Sequence, residues 1–255
     1  MRRGNFKVRI FIGVAIIAFA FIRRCSQKET NPYTGRTQAI SLSPDQEIAI
    51  GLQSAPGMEQ QHGGLHPRGD YQALVDNVGN KLVQSSLAKN TPYRYEFHLL
   101  ADDNTINAFA LPGGQIYITQ ALFSQLENED QLAGVLGHEI GHVLGKHSNE
   151  RITQADFWKY FVMGAGAVDM GAVASQIGNG TLLKNGRDDE LESDELGVMI
   201  MMDAGYNPEE MIGVMKILKA AAGPNRVPEM QSTHPDPENR IEKIREAINK
   251  YKKAS

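Results

Sequence analysis

The chain has 255 residues, 41% hydrophobic and 22% charged, with a formal net charge of -4 and a pI near 6.0. These values suit one sizeable globular domain plus an N-terminal appendage; they exclude wholesale disorder and provide no basic footprint for nucleic acid. Cys25 is the only cysteine, so no intramolecular disulfide forms, and a bound zinc would have to be held by histidine and carboxylate.

The N-terminal segment carries Arg2, Arg3, Lys7 and Arg9, then an apolar run from Ile10 to Ile22, then Arg23 and Arg24. Thirteen apolar residues are short for a membrane span and closer to a signal-peptide core. Ala18-Phe19-Ala20 offers a small-x-small cleavage site, whereas Phe21, Ile22 and the two arginines argue against cleavage. Lipid attachment at Cys25 is disfavoured, because Ile22-Arg23-Arg24 is not the small-residue box that such processing needs. Residues 1–25 are therefore expected to be a signal peptide or an N-terminal membrane anchor. Residues 26–42, centred on Asn31-Pro32-Tyr33-Thr34-Gly35, read as a polar linker, which leaves residues 43–255 as the main domain.

Ser43 as N-cap and Pro44 at the first helical position predict a helix to about Ser54. Gln61 to Pro67 reads as a loop whose His62 and His66 are solvated, and Leu74, Val75, Val78 and Leu82 mark a second helix over about 70–86. Alternation from Tyr93 to Leu99 predicts a half-buried strand. Two short strands, 106–111 and 115–119, flank a turn at Pro112-Gly113-Gly114. A helix begins near Asn128. Phe157 to Ile177 reads as a soluble helix or flap, with interfacial membrane contact as the alternative, and ends at Gly178-Asn179-Gly180. Helices over about 187–204 and 208–222, a loop from Gly223 to Thr233, and a last helix capped by Asp236-Pro237 complete the chain.

The helix near Asn128 carries His138-Glu139-Ile140-Gly141-His142. Residues four apart share one helix face, so the two imidazoles can converge on one zinc ion while Glu139 serves beside it as general base. A third ligand is still needed. His147, nine residues beyond His138, would face away on a continuing helix and is assigned a surface or helix-end role. Glu190 and Asp194 lie four apart on the next long helix. Glu190 can ligate the metal while Asp194 accepts the free ring N–H of a ligand histidine. Otherwise the acidic run from Asp188 to Glu195 is a solvated face. For the oxyanion, His234 in the loop before the last helix is the candidate, with Arg240 orienting that loop or pairing with a carboxylate. The strand holding Asn107 and Ala108 offers an edge on which an extended peptide can add main-chain hydrogen bonds.

These motifs, with Asn107-Ala108-Phe109-Ala110-Leu111-Pro112-Gly113-Gly114 and Thr233-His234-Pro235, resemble the HtpX-like and CAAX prenyl protease-type zinc metalloendopeptidases. The likeness runs from about Ser43 to the last helix. It implies a gluzincin-type α+β fold, mainly helical, with a small β-sheet beside the His-Glu-x-x-His helix. It further implies one zinc per chain, polypeptide substrates and a place in the cell envelope, in the short exported branch of the family. The resemblance also leaves open that His234 closes onto the metal and holds the enzyme inactive. Membrane contact through the N-terminal segment is expected, and nucleic acid is not. The alternative is a peptide-binding, chaperone-like envelope protein that keeps the fold without the chemistry.

Overall fold

A computed structural model of the chain describes residues 6–166, 170–221, 234 and 239–253. The predicted loop from Gly223 to Thr233 and the Asp236-Pro237 cap lie outside the described residues. The chain divides into two compact units, residues 1–42 with 147–186, and residues 43–146 with 187–255.

The second unit holds the small mixed sheet and most of the core. Helix α2 (Pro44–Gln61) starts where predicted: the Ser43 side chain accepts from Gln46 N and the Gln46 side chain accepts from Ser43 N, a reciprocal capping box. It runs about two turns further than its expected end. Helix α3 (Gly69–Ser85) buries Val75, Val78 and Leu82. The strands are β3 (Glu96–Leu100), β4 (Ala108–Ala110) and β5 (Gln115–Thr119), in spatial order β3-β5-β4. β4 turns back antiparallel onto β5 through Pro112–Gly114, with Phe109 opposite Tyr117, while β3 pairs parallel to β5. β4 is thus an edge strand.

A short helix, α4 (Gln120–Phe123), precedes α5 (Glu129–Leu144). Asn128 caps α5 by accepting from Gln131 N, and Glu129 and Asp130 complement the positive end of its dipole. Every residue of α5 from Gln131 to Leu144 is buried. That burial explains why its apolar stripe is broad and why polar residues inside it require partners. Lys146 adopts a left-handed conformation, φ 55°, and ends the helix. Helix α7 (Gly171–Asp203) follows later in the chain, then α8 (Glu210–Ala221) and α9 (Arg240–Lys252), which buries Ile244 and Ile248.

α7 departs from expectation by running straight through Gly178-Asn179-Gly180. A glycine weakens a helix by only about 1 kcal/mol relative to alanine, which lowers helix stability without forbidding the conformation. The proposed architecture holds: the domain is α+β, mainly helical, with a small sheet.

The first unit contains α1 (Phe6–Ser26), α6 (His147–Gly166) and the start of α7. Residues 26–42, expected to be a linker, carry an antiparallel hairpin of β1 (Lys28–Thr30) and β2 (Thr37–Ala39). The Asn31 carboxamide accepts from Tyr33 N and Thr34 N to shape its turn. Asn149 of α6 anchors the exit, its side chain accepting from Ser41 N and Leu42 N and donating to the Leu42 carbonyl.

Candidate active site

The site is built where α5 crosses α7. Gly141 allows that crossing: a Cβ placed there would lie 2.8 Å from the Ser193 carbonyl oxygen, closer than side-chain carbons approach a backbone. One face of α5 then presents His138 and His142, and α7 presents Glu190 and Asp194 one turn apart. His138, His142, Glu190 and His234 each offer one ligand atom, and these atoms all lie within 4.8 Å of one another. All four side chains are buried.

The contacts dictate the tautomers. His138 Nδ1 donates to Asp194 Oδ1 at 2.9 Å, which leaves the Nε2 lone pair pointing to the centre. His138 Nε2 lies 3.1 Å from His142 Nε2 and 3.2 Å from Glu190 Oε2. His234 Nε2, 3.3 Å from the Ala108 carbonyl, is placed to donate there. Its Nδ1 then faces Glu190 Oε1 at 3.1 Å and His142 Nε2 at 3.1 Å. Imidazole lone pairs and a carboxylate brought this close repel unless a cation sits among them. Two imidazoles and one carboxylate, with a further position available, suit zinc.

Without a cation at the centre, burial and the neighbouring charges set the protonation of these groups. Burial drives His142 well below its usual value and so favours the neutral ring. Burial opposes ionisation of Glu190, but the His142 and His234 rings hold its carboxyl well below the usual range. Burial also works against a charged His138, yet hydrogen bonds to Asp194 and Glu190 carry it up to about 9. Glu139 is the exception among the carboxylates. It is fully buried, neither oxygen has a hydrogen-bond partner among the described residues, and burial raises its pKa. Its nearest cation-capable neighbour is His234 Nε2 at 3.6 Å.

Arg240 completes the arrangement. Its Nε donates to Asp194 Oδ2 at 2.6 Å and its Nη2 to Asp194 Oδ1 at 2.9 Å. Of the two roles expected for Arg240, pairing with a carboxylate is the one observed. The missing detail was which carboxylate: Arg240 stands 46 residues from Asp194, and no sequence periodicity links them.

The other singled-out residues divide. Ala108 reaches the site through its carbonyl. Asn107 is buried, and its backbone N–H and carbonyl are bonded to Thr119 Oγ1. Phe109 belongs to the core, stacked 5.0 Å from Tyr117. His147 opens α6, at a helix end as expected, but it is buried rather than at the surface. His62, expected to be solvated, is buried and bonded to Asp102 Oδ2 at 2.9 Å. Its partner lies 40 residues downstream, beyond the reach of local reading.

A mainly helical α+β domain with His-Glu-x-x-His on one buried helix, and a glutamate facing it from the helix that crosses it, has the arrangement of a metallopeptidase domain. The model of peptidase family M48 matches residues 70–248, and the chain belongs to that family. It is 28% identical to the beta-barrel assembly-enhancing protease of Escherichia coli (strain K12) over 257 aligned positions, covering 94% of this chain and 50% of that protein. The enzyme of the same description from Yersinia pestis is 28% identical, with 87% and 48% covered. Mitochondrial metalloendopeptidase OMA1 of Schizosaccharomyces pombe is also 28% identical, with 91% and 70% covered. The chain therefore spans about half the length of the two bacterial relatives.

Proposed function

We propose that the protein is a zinc-dependent endopeptidase that cleaves misfolded or unassembled proteins of the cell envelope. The observation that carries this is the buried convergence of His138, His142, Glu190 and His234 beside a Glu139 carboxylate with no hydrogen-bond partner among the described residues. His138, His142 and Glu190 would hold one zinc ion, which when bound supplies Lewis acidity to water and to the scissile carbonyl. Glu139 takes a proton from water on its carboxylate and delivers it to the leaving amide nitrogen. Its raised pKa suits both halves of that transfer, since the protonated form is not too acidic to persist between them. Asp194 fixes the His138 ring with Nε2 inward, and Arg240 keeps Asp194 ionised and aligned.

The substrate reading rests on β4. An extended peptide added along this edge strand would be recognised through its backbone, which gives loose sequence selectivity. Of the two roles considered for His234, its contacts support the closing one. It bonds to the carbonyl of the edge residue Ala108 and crowds the Glu190 carboxylate, so a peptide entering here must displace it. Residues 43–255 serve as the peptidase domain in this reading. The N-terminal segment, as signal or anchor, delivers it to an exported, membrane-associated place. The names of the relatives, a beta-barrel assembly-enhancing protease and a mitochondrial metalloendopeptidase, support an envelope or membrane setting.

Glu139→Gln tests this reading. It should lower casein cleavage about 100- to 10,000-fold, the usual contribution of a general base, with zinc content by atomic absorption unchanged. Full cleavage by the variant would remove Glu139 from the mechanism. Peptide binding by a wild-type protein that holds zinc but never cleaves would favour the chaperone-like alternative.

A further inference from the structure

The first unit has no part in the chemistry above, yet it carries the most exposed hydrocarbon of the described chain. α1 lies antiparallel against α6. Phe19 meets Tyr160 with ring centroids 5.6 Å apart, Phe21 meets Phe157 at 5.3 Å, and Arg23 Nη2 donates to Asp156 Oδ2 at 3.3 Å. At the crossing, Gly164 packs directly on Gly13 and Ile17. The buried face of α1 is thus spent on α6. Its other faces remain apolar and open: Phe11 is 75% exposed, Ile22 70% and Val14 60%, and Met163 of α6 adds 53%. An apolar groove of about 330 Å³ runs between the two helices beside Phe11, Ile12, Phe19 and Met163. Isolated exposed apolar residues are ordinary, but a contiguous face of this kind is covered by something.

We propose that α1 and the second half of α6 together form one docking surface that lies in the plane of an anionic lipid bilayer. The apolar run of α1 is roughly 20 Å long at 1.5 Å per residue, short of a hydrocarbon core of about 30 Å. No described helix is long and apolar enough to cross a membrane. Cations bracket the run, with Lys7 and Arg9 before it and Arg23 and Arg24 after it. A helix parallel to the surface keeps both charged ends at headgroup depth while its flank enters the acyl layer. At one end the cations are joined to aromatic rings, Arg23 over Tyr160 at 5.7 Å and Arg24 over Phe157 at 5.0 Å. Such amphipathic groups settle at the interface between hydrocarbon and headgroup, and positive charge on both flanks selects anionic lipid.

This rests on the membrane attachment proposed for the N-terminal segment and goes beyond it in two ways. α6 becomes a lipid-facing element in its own right, and α1 becomes its permanent partner rather than a cleaved signal. Removing α1 would strip the cover from Gly164, Phe157 and Tyr160.

Trp158 on α6 is the only tryptophan, so it reports on α6 without any substitution. The full chain is mixed with phosphatidylglycerol or phosphatidylcholine vesicles carrying spin-labelled lipid. The protein should float with the anionic vesicles, its emission should shift to the blue, and labels near the headgroup should quench it more than labels at the chain ends. Arg24→Glu should weaken partitioning into phosphatidylglycerol vesicles about tenfold, with little change for phosphatidylcholine. Flotation with unquenched Trp158 would overturn the role of α6 and leave attachment through α1 standing. Absence of flotation would overturn both, and concentration-dependent self-association in its place would assign the face to a second copy of the chain.

Discussion

At Gly141, α5 meets α7 so closely that a Cβ would sit 2.8 Å from the Ser193 carbonyl oxygen; at Gly164, α6 meets α1 so closely that one would sit 2.6 Å from Ile17 Cγ1 and 2.8 Å from the Gly13 carbonyl oxygen. The packing device is the same. The consequences are opposite, because of what stands a turn away on each helix. Around Gly141 stand His138, His142, Glu190 and Asp194, polar groups that are buried and bonded to one another. Around Gly164 stand Phe11, Val14, Phe19 and Met163, apolar groups that remain outside. A buried polar cluster and an exposed apolar face both run against the general tendency of folded chains, and each therefore carries functional information. The first points to a metal and chemistry, the second to a surface that covers it.

The sharpest way to break this comparison is to disturb the buried charge. Arg240→Leu strips Asp194 of its bidentate partner and leaves a fully buried carboxylate. A loss of about 3–5 kcal/mol in urea unfolding is expected, as for other buried pairs broken on one side, together with weaker zinc binding. Arg240→Lys should recover only part of either, since a single ammonium cannot reproduce the fork. Unchanged stability in Arg240→Leu would mean that Asp194 is satisfied without it.

A milder pair of variants compares the crossings directly. Gly141→Ala forces a methyl against backbone and should cost about 1–3 kcal/mol, with reduced zinc affinity because it pushes Glu190 and the histidines apart. Gly164→Ala should cost a comparable amount while leaving zinc affinity unchanged, since no metal-site residue packs there. Equal losses of zinc affinity from both variants, read by chelator competition, would dissolve the distinction.

The smallest effect concerns a polar pair with no assigned chemistry. Burial opposes ionisation of Asp102, but hydrogen bonds from His62 and Thr105 outweigh it and hold the carboxyl at about 2. A depressed carboxyl stabilises the fold fully above its ordinary value near 4 and ceases to do so as pH falls through about 2. Asp102→Asn should therefore cost about 1 kcal/mol at pH 7, solvent screening weakening the interaction, and the gap to wild type should narrow as the pH drops below 4. A gap that stays constant with pH would show that the carboxyl's charge contributes nothing.

The sequence by itself determined the local features. Ser43 and Asn128 mark their helix starts because a capping side chain acts within three residues, and the Pro112–Gly114 turn sits between two alternating runs. His138 and His142 share a face because the helical repeat requires it. Glu190 and Asp194 were legible for the same reason, although only the crossing at Gly141 brings them to the histidines. What only the tertiary structure decided lies across long separations: Arg240 on Asp194, His62 on Asp102, His234 against the Ala108 carbonyl, and α6 as the partner of α1. These contacts have no period in the sequence to announce them. They follow from how helices cross and which faces remain uncovered, and that depends on the whole packed chain rather than on any stretch of it.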